Sequence, residues 1–453
     1  MTALARKPVT TMSLGLLLGL VSGAIAVRKP SDAILLCVVL AAVVGLAMLG
    51  DRAFPWGIIV VAVAPWYPFF AESAEGPVVS QKVLCAAVAA AALAPWLWSL
   101  AVGGRRTRPS PAALLMGVLF GGLAVLIYQT RGNFAALIDT KVVGFLFIGV
   151  TFLCARRFGD GRGWLAAAFG GLLLLGLMGA DAYLKAPSSR IGYFVGYPIT
   201  YGALVVGLLP AALLFASQHS RLLTIGVALG SASLLIFSES RSSWVALTVM
   251  LVVVVLVQTR AANFRALAAV ATITVILTAL IVGTGLHHVV EQKLSSKIET
   301  SQSVTHREFS YGYAVHAIGK EPVFGAGSPG FAAQESANKT TIGALDNGYL
   351  SISVDLGLIG LFAAIIPIAV ALRVLGVCLR FGVTPQLELA LALGVLGMAV
   401  VTIFYDSFYW AQIDLLMGAM AGVLSTRLTS IVPDATAVRP RPRRRRMRVK
   451  LAV

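Results

Sequence analysis

The sequence predicts an all-α, polytopic integral membrane protein with about 12–14 transmembrane helices and one large extracytoplasmic loop. Three observations carry this. Of 453 residues, 58% are hydrophobic and only 12% are charged, and the mean hydropathy is +0.88. A soluble core cannot enclose that much apolar surface. The apolar residues also fall in runs long enough to cross a hydrocarbon layer of about 30 Å as helices. Finally, the arginines between those runs cluster in alternate loops, as the positive-inside rule requires of a multi-pass chain.

In chain order the apolar runs lie near 9–27, 33–50, 54–70, 83–103, 111–128, 138–155, 163–180, 198–217, 222–238, 243–258, 266–285, 349–372, 386–405 and 410–427. With the N-terminus in the cytoplasm, Arg105, Arg106, Arg108, Arg156, Arg157, Arg162, Arg260, Arg265, Arg373 and Arg380 fall on the cytoplasmic side. The tail bearing Arg443 to Arg446 joins them. Met1 to Val27 has the features of a signal peptide: Arg6 and Lys7, an apolar centre, and Ala24-Ile25-Ala26 as a small-residue site. Cleavage there would leave the remaining topology unchanged.

This divides the chain into an N-terminal transmembrane bundle (1–285), an extracytoplasmic loop (286–346), C-terminal transmembrane helices (347–430) and a basic cytoplasmic tail (431–453). The loop of about sixty residues stands among short ones, and such loops usually carry function.

Two features invite other functions. The net charge of +17 suggests nucleic acid. Much of it sits in the tail RPRPRRRRMRVK, which reads as a topogenic segment touching anionic lipid, and the rest is spread through short loops. No nucleic-acid partner is expected. The four cysteines, Cys37, Cys85, Cys154 and Cys378, lie in or beside apolar runs without C-x-x-C spacing, so neither a disulfide framework nor a zinc site is implied.

In EPVFGAGSPGF, Gly325, Gly327 and Gly330 spell G-x-G-x-x-G, which binds a dinucleotide only between a buried strand and a helix. The preceding SYGYAVHAIGKEP has helical apolar spacing. The glycines read instead as tight-turn residues where the chain returns to the membrane.

Three polar groups meet the outer face. Arg190 precedes a span in SSRIGYFVGYPITYG. Arg241, with Glu239, occupies a very short turn in FSESRSSWVAL. Asp346 and Asn347 close the long loop in GALDNGYLSISVDLGLIG. Arg190 reads either as an interfacial snorkelling residue or as a ligand; Asp346 reads as a helix cap, a proton acceptor, or both. Together they suggest an outward cavity whose arginines grip a phosphate through paired charge-assisted hydrogen bonds, with a carboxylate for an acceptor proton. Asp355, Asp406 and Asp414 lie near or within apolar runs and are weaker candidates for buried polar contacts.

The pieces SRIGYFVGYP, SESRSSWVAL, HREFSYGYAVHAIGKEPVFGAGSPGF and LDNGYLSISVDLGLIGL, in this order over roughly residues 185–365, resemble the O-antigen ligase and polymerase superfamily of bacterial surface-polysaccharide enzymes. The resemblance implies a GT-C type membrane glycosyltransferase of the bacterial cytoplasmic membrane, with its active site facing the extracytoplasmic side. It implies transfer, without metal or cofactor, of a glycan from a polyprenyl-phosphate or polyprenyl-pyrophosphate carrier to a carbohydrate or glycolipid acceptor, as a ligase or a polymerase.

By the same resemblance Arg190 and Arg241 hold the donor's phosphates, and His306, Arg307, Glu308, Asn347 and Tyr349 contact the acceptor or the loop. The family usually has His-Asn where this chain has Asp346-Asn347, with the histidine handling the acceptor proton. Asp346 is the expected base here, and His306 a possible replacement. The competing class is a transporter or flippase of lipid-linked saccharides, whose marks would be two related halves and broken helices.

Overall fold

The computed structural model describes residues 54–63, 148–149, 151–152, 161–187, 190–263, 268, 271, 302–326, 345–406, 408 and 410–437. Among them every regular element is helical. The elements are α1 (Phe54–Val63), α2 (Gly161–Lys185), a 3₁₀ turn (Tyr193–Val195), α3 (Pro198–His219), α4 (Arg221–Ser238), α5 (Arg241–Arg260), α6 (Gln302–Lys320), α7 (Gly348–Phe381), α8 (Gln386–Phe404) and α9 (Ala411–Ala437). Six of these, α2 to α5 with α7 and α8, are long and apolar enough to cross a membrane. The chain is an all-helical, multi-pass membrane protein. The expected spans that begin at 9, 33, 83, 111, 138 and 266 lie wholly or mostly outside the described residues.

Helices α3 and α8 form the centre. Their spans are 72% and 78% enclosed, against 28% for α4 and α5. Small residues allow that enclosure: the Gly394 Cα faces the Gly207 carbonyl, so that no side chain would fit at Gly394. Close backbone approach of this kind replaces the hydrophobic drive that lipid cannot supply. Around the pair, Leu204, Leu208, Leu391, Met398, Ile413 and Met417 are fully buried in one continuous core.

Helix α7 is longer than the run 349–372 read from the sequence, and it is broken. Gly357 has φ 62° and ψ −157° inside it, a conformation that only glycine adopts without strain. From Gly357 to Phe381 the helix is about 37 Å long, enough to span by itself. A straight extension beyond Gly357 would carry Tyr349 far past the end of α8. Instead the Tyr349 hydroxyl donates to the Ala399 carbonyl at 3.0 Å, and the Ser351 hydroxyl donates to Asp406 Oδ2 at 2.9 Å. The segment Gly348–Leu356 is therefore folded across the ends of α8 and α9.

The break frees backbone groups, and the chain after α6 takes them. The Ala326 N–H donates to the Val354 carbonyl at 2.8 Å, Leu358 N–H to Pro322 at 2.8 Å, and Ile359 N–H to Val323 at 3.4 Å. Gly325, at φ 70°, lies back to back with Gly357, where a side chain on either would strike the other's backbone. Gly325 is thus a turn residue behind a helix, Gln302–Lys320, in keeping with the sequence reading. Gly327 and Gly330 lie outside the described residues.

At the far end, α9 continues to Ala437, past the boundary expected at 430.

Candidate functional site at one end of the bundle

The C-terminal ends of α2, α4 and α8 share one end of the bundle with the N-terminal ends of α3, α5, α7 and α9. Cross-links between their connections establish this. The Ile191 N–H donates to the Phe237 carbonyl at 3.2 Å, and Gln412 Nε2 donates to the Val195 carbonyl at 2.8 Å. The opposite end is basic: Arg260 Nε donates to the Leu379 carbonyl at 3.3 Å, and Arg427 Nη1 pairs with Glu388 Oε1 at 3.0 Å. Arg221 and Arg380 belong to helix termini at that same basic end.

Arg190, Arg241 and Asp346 all fall at the first end. Helix α4 stops because Glu239 turns into the left-handed region at φ 53°, and Ser240 starts α5 one residue later. Arg190 clasps this two-residue turn. Its Nε donates to the Ser238 carbonyl at 3.1 Å and its Nη2 to the Glu239 carbonyl at 3.3 Å, while Nε stands 3.9 Å from the Glu239 carboxylate. A cation bonded to the last carbonyls of a helix also meets the negative end of its dipole.

Arg241 opens α5 and is exposed. Behind it lies a buried hydroxyl cluster: Ser240 Oγ is 2.7 Å from Ser243 Oγ and 3.3 Å from Ser242 Oγ. Gly202 of α3 packs directly on Ser240 and Ser243, which ties the turn to the central helix.

Asp346 is half-buried just ahead of α7, and its backbone carbonyl receives the Tyr311 hydroxyl at 3.4 Å. The cap of α7 is Asn347, whose Oδ1 accepts from the N–H groups of Tyr349 and Leu350 at 3.0 and 3.1 Å. The capping role that Asp346 was open to is thus filled by its neighbour, because Asn347 is the residue with extended backbone angles at the helix start. Tyr349 joins α7 to α8, as described above. His306, Arg307 and Glu308 lie in the first turns of α6, and their side chains fall outside the described residues.

Of the three further aspartates, Asp406 receives Ser351 at this same end. Asp355 is buried beside the Gly357 break and Asp414 is fully buried in the first turn of α9. Sequence reasoning passed over the aromatic turn YDSFYW (405–410). There Tyr405 stacks on Tyr197, and Trp410 Nε1 donates to the Tyr405 hydroxyl at 2.6 Å. The signal available was four aromatic residues and one acid in a six-residue connection between apolar runs.

Residues 225–365 match the family model described as O-antigen ligase. This segment is similar to that family and covers about a third of the chain. The match runs from α4 through the N-terminal half of α7, so it holds the turn with Arg241, helix α6, the Gly325–Gly357 junction and Asp346. Arg190, Tyr197 and Asp406 contribute from outside it. It supports assignment to the O-antigen ligase and polymerase superfamily, and with it an O-antigen ligase-like membrane glycosyltransferase activity. No curated protein matches the chain.

Proposed function

We propose that the chain transfers a saccharide from a polyprenyl-phosphate or polyprenyl-pyrophosphate carrier to a carbohydrate or glycolipid acceptor at the outer surface of a bacterial cytoplasmic membrane. The basic end, with Arg221, Arg260, Arg380 and Arg427, then faces the cytoplasm, and the end with Arg190, Arg241 and Asp346 faces out. Residues 286–346 are the extracytoplasmic loop, and the tail beyond α9 lies inside. The transmembrane part has the GT-C plan.

The observation that carries this reading is the α4–α5 turn. It presents an exposed arginine at a helix N-terminus, and a second arginine holds it in place. Helix N-termini and guanidinium groups both favour phosphate. Arg190 spends two of its five N–H groups on the Ser238 and Glu239 carbonyls, which leaves others for a phosphate oxygen.

In the reaction, the acceptor hydroxyl attacks the anomeric carbon as the bond to the carrier phosphate breaks. Asp346 takes the hydroxyl proton, and the lipid phosphate departs with its charge against Arg241 and Arg190. Stabilising charge that grows in the transition state is where such groups contribute most to rate. On this reading His306, Arg307, Glu308, Asn347 and Tyr349 contact the acceptor or the loop, Asn347 through the cap it gives α7.

One observation favours the transporter reading: α7 is a broken helix, a device of secondary transporters. In those proteins the freed backbone groups face substrate or ion. Here Val354, Leu358 and Ile359 bond the chain at Pro322–Ala326, so the break serves to fasten the loop.

The deciding experiment is to identify the lipid-linked saccharide that accumulates in cells lacking the protein, together with transfer by purified protein in liposomes. Single repeat units mark a polymerase and finished chains a ligase. Transfer-inactive protein that moves the lipid-linked saccharide between leaflets would establish the transporter instead.

A further inference from the structure

The outer ends of the two central helices carry aromatic rings that are open to the outside. Residues at the ends of α3 and α8 lie on the bundle axis, away from the lipid-facing flank. Yet Tyr197, which precedes α3, is 37% exposed, and Tyr193 is 53% exposed. Tyr197 stacks on Tyr405, which follows α8, with centroids 5.8 Å apart and planes 9° from parallel. Tyr193 stands edge-on to Tyr197 at 6.0 Å.

The platform is braced from behind. Trp410 donates to the Tyr405 hydroxyl, and Gly196 lets the backbone lie against the Trp410 ring, where any side chain would collide. Asp406, beside Tyr405, is held by Ser351. An interfacial aromatic belt would place such rings on the lipid-facing rim. These stand instead at the centre, next to a carboxylate.

A pyranose ring has two kinds of surface. One face carries polarised C–H groups, which suit the negative face of an aromatic ring, and the rim carries hydroxyls, which suit phenol hydroxyls. We propose that Tyr193 and Tyr197, backed by Tyr405 and Asp406, form a saccharide subsite that stacks one pyranose ring of a glycan substrate. This deepens the glycosyltransferase reading and rests on it for which glycan is held.

The test separates binding from transfer. Purified full-length protein is titrated with four water-soluble trisaccharides, maltotriose, cellotriose, chitotriose and mannotriose, and binding is followed by saturation-transfer NMR. At least one should bind in the millimolar range, Tyr197→Ala should weaken it at least tenfold, and Tyr197→Trp should hold it within about threefold. Tyr193→Ala removes an exposed ring and guards against misfolding of the first variant; it should weaken binding at least threefold.

Binding of none of the four to wild-type protein, or equal binding by wild type, Tyr197→Ala and Tyr193→Ala, overturns the subsite. Tyr197-dependent binding without any transfer activity keeps the subsite and removes the enzyme. Where transfer is measured, a raised KM for acceptor alone at constant kcat assigns the ring to the acceptor. A raised KM for donor alone assigns it to the donor.

Discussion

Arg190 and Glu239 lock the turn between α4 and α5: one guanidinium holds two carbonyls of the turn and faces the carboxylate of the same turn at 3.9 Å. Their side chains are only 22% and 14% exposed, so water screens the pair weakly. Removing Arg190 leaves Glu239 poorly solvated and the end of α4 without its cation. Arg190→Ala should cost about 1.5–3 kcal/mol, the range for hydrogen bonds to charged groups. Thermal unfolding in detergent and proteolysis within 238–243 would both report it. An unchanged melting temperature would leave Arg190 with substrate contacts alone.

Arg241 differs from Arg190 in being exposed at the start of α5. If it grips phosphate through a two-pronged contact, Arg241→Lys keeps the charge and loses the geometry. Transfer should fall on the order of 10² to 10³ while expression and melting stay at wild-type values. Wild-type transfer by Arg241→Lys would show that a point charge suffices.

The helical plan was legible because lipid imposes it. Backbone groups in hydrocarbon must bond within their own segment, so apolar runs of sufficient length translate directly into helices. The polar landmarks Arg190, Arg241 and Asp346 were legible for the same reason: polar residues are rare there. Long-range geometry was not. Nothing local to Gly357 says that the α7 run breaks, since its partner, Gly325, lies more than thirty residues away in sequence. The choice between Asp346 and Asn347 as cap was equally hidden, because both residue types cap well and only backbone angles decide. The stacking of Tyr197 on Tyr405 joins residues some two hundred positions apart, which no spacing rule reaches.

The Gly325–Gly357 contact gives its own prediction. Both have positive φ, and a methyl group on either meets the other's backbone. Gly357→Ala should therefore break the hydrogen bonds from Ala326, Leu358 and Ile359 and release the chain at 322–326. A cost of about 1–3 kcal/mol is expected for the strained conformation, seen as faster hydrogen exchange at Ala326 and Leu358. Unchanged exchange at both amides would mean that α7 has an alternative way to satisfy the break.

Sidedness is testable on residues at the two ends of α3. With the four native cysteines replaced by alanine, Tyr193→Cys should react with an impermeant thiol reagent in intact cells. Ser220→Cys, at the basic end, should react only after permeabilisation. The reverse pattern would invert the topology and place Arg241 and Asp346 in the cytoplasm.

The last prediction separates base from cap at neighbouring positions. Asn347 accepts two backbone N–H groups at the start of α7, so Asn347→Ala should cost about 0.5–2 kcal/mol in stability and affect transfer only through folding; Asn347→Asp should restore stability. Asp346 makes neither of those bonds. Asp346→Asn keeps its size and removes its charge together with its ability to accept a proton, so turnover should collapse while lipid-linked donor still binds. Asp346→His restores the residue usual in the O-antigen ligase family and should retain some turnover, with a pH profile displaced towards the histidine range. Measuring transfer, donor binding and melting on the same preparations keeps these outcomes apart. Full turnover by Asp346→Asn would remove Asp346 as base and turn the search to His306 and Glu308 on α6, the helix whose Tyr311 already reaches the Asp346 backbone.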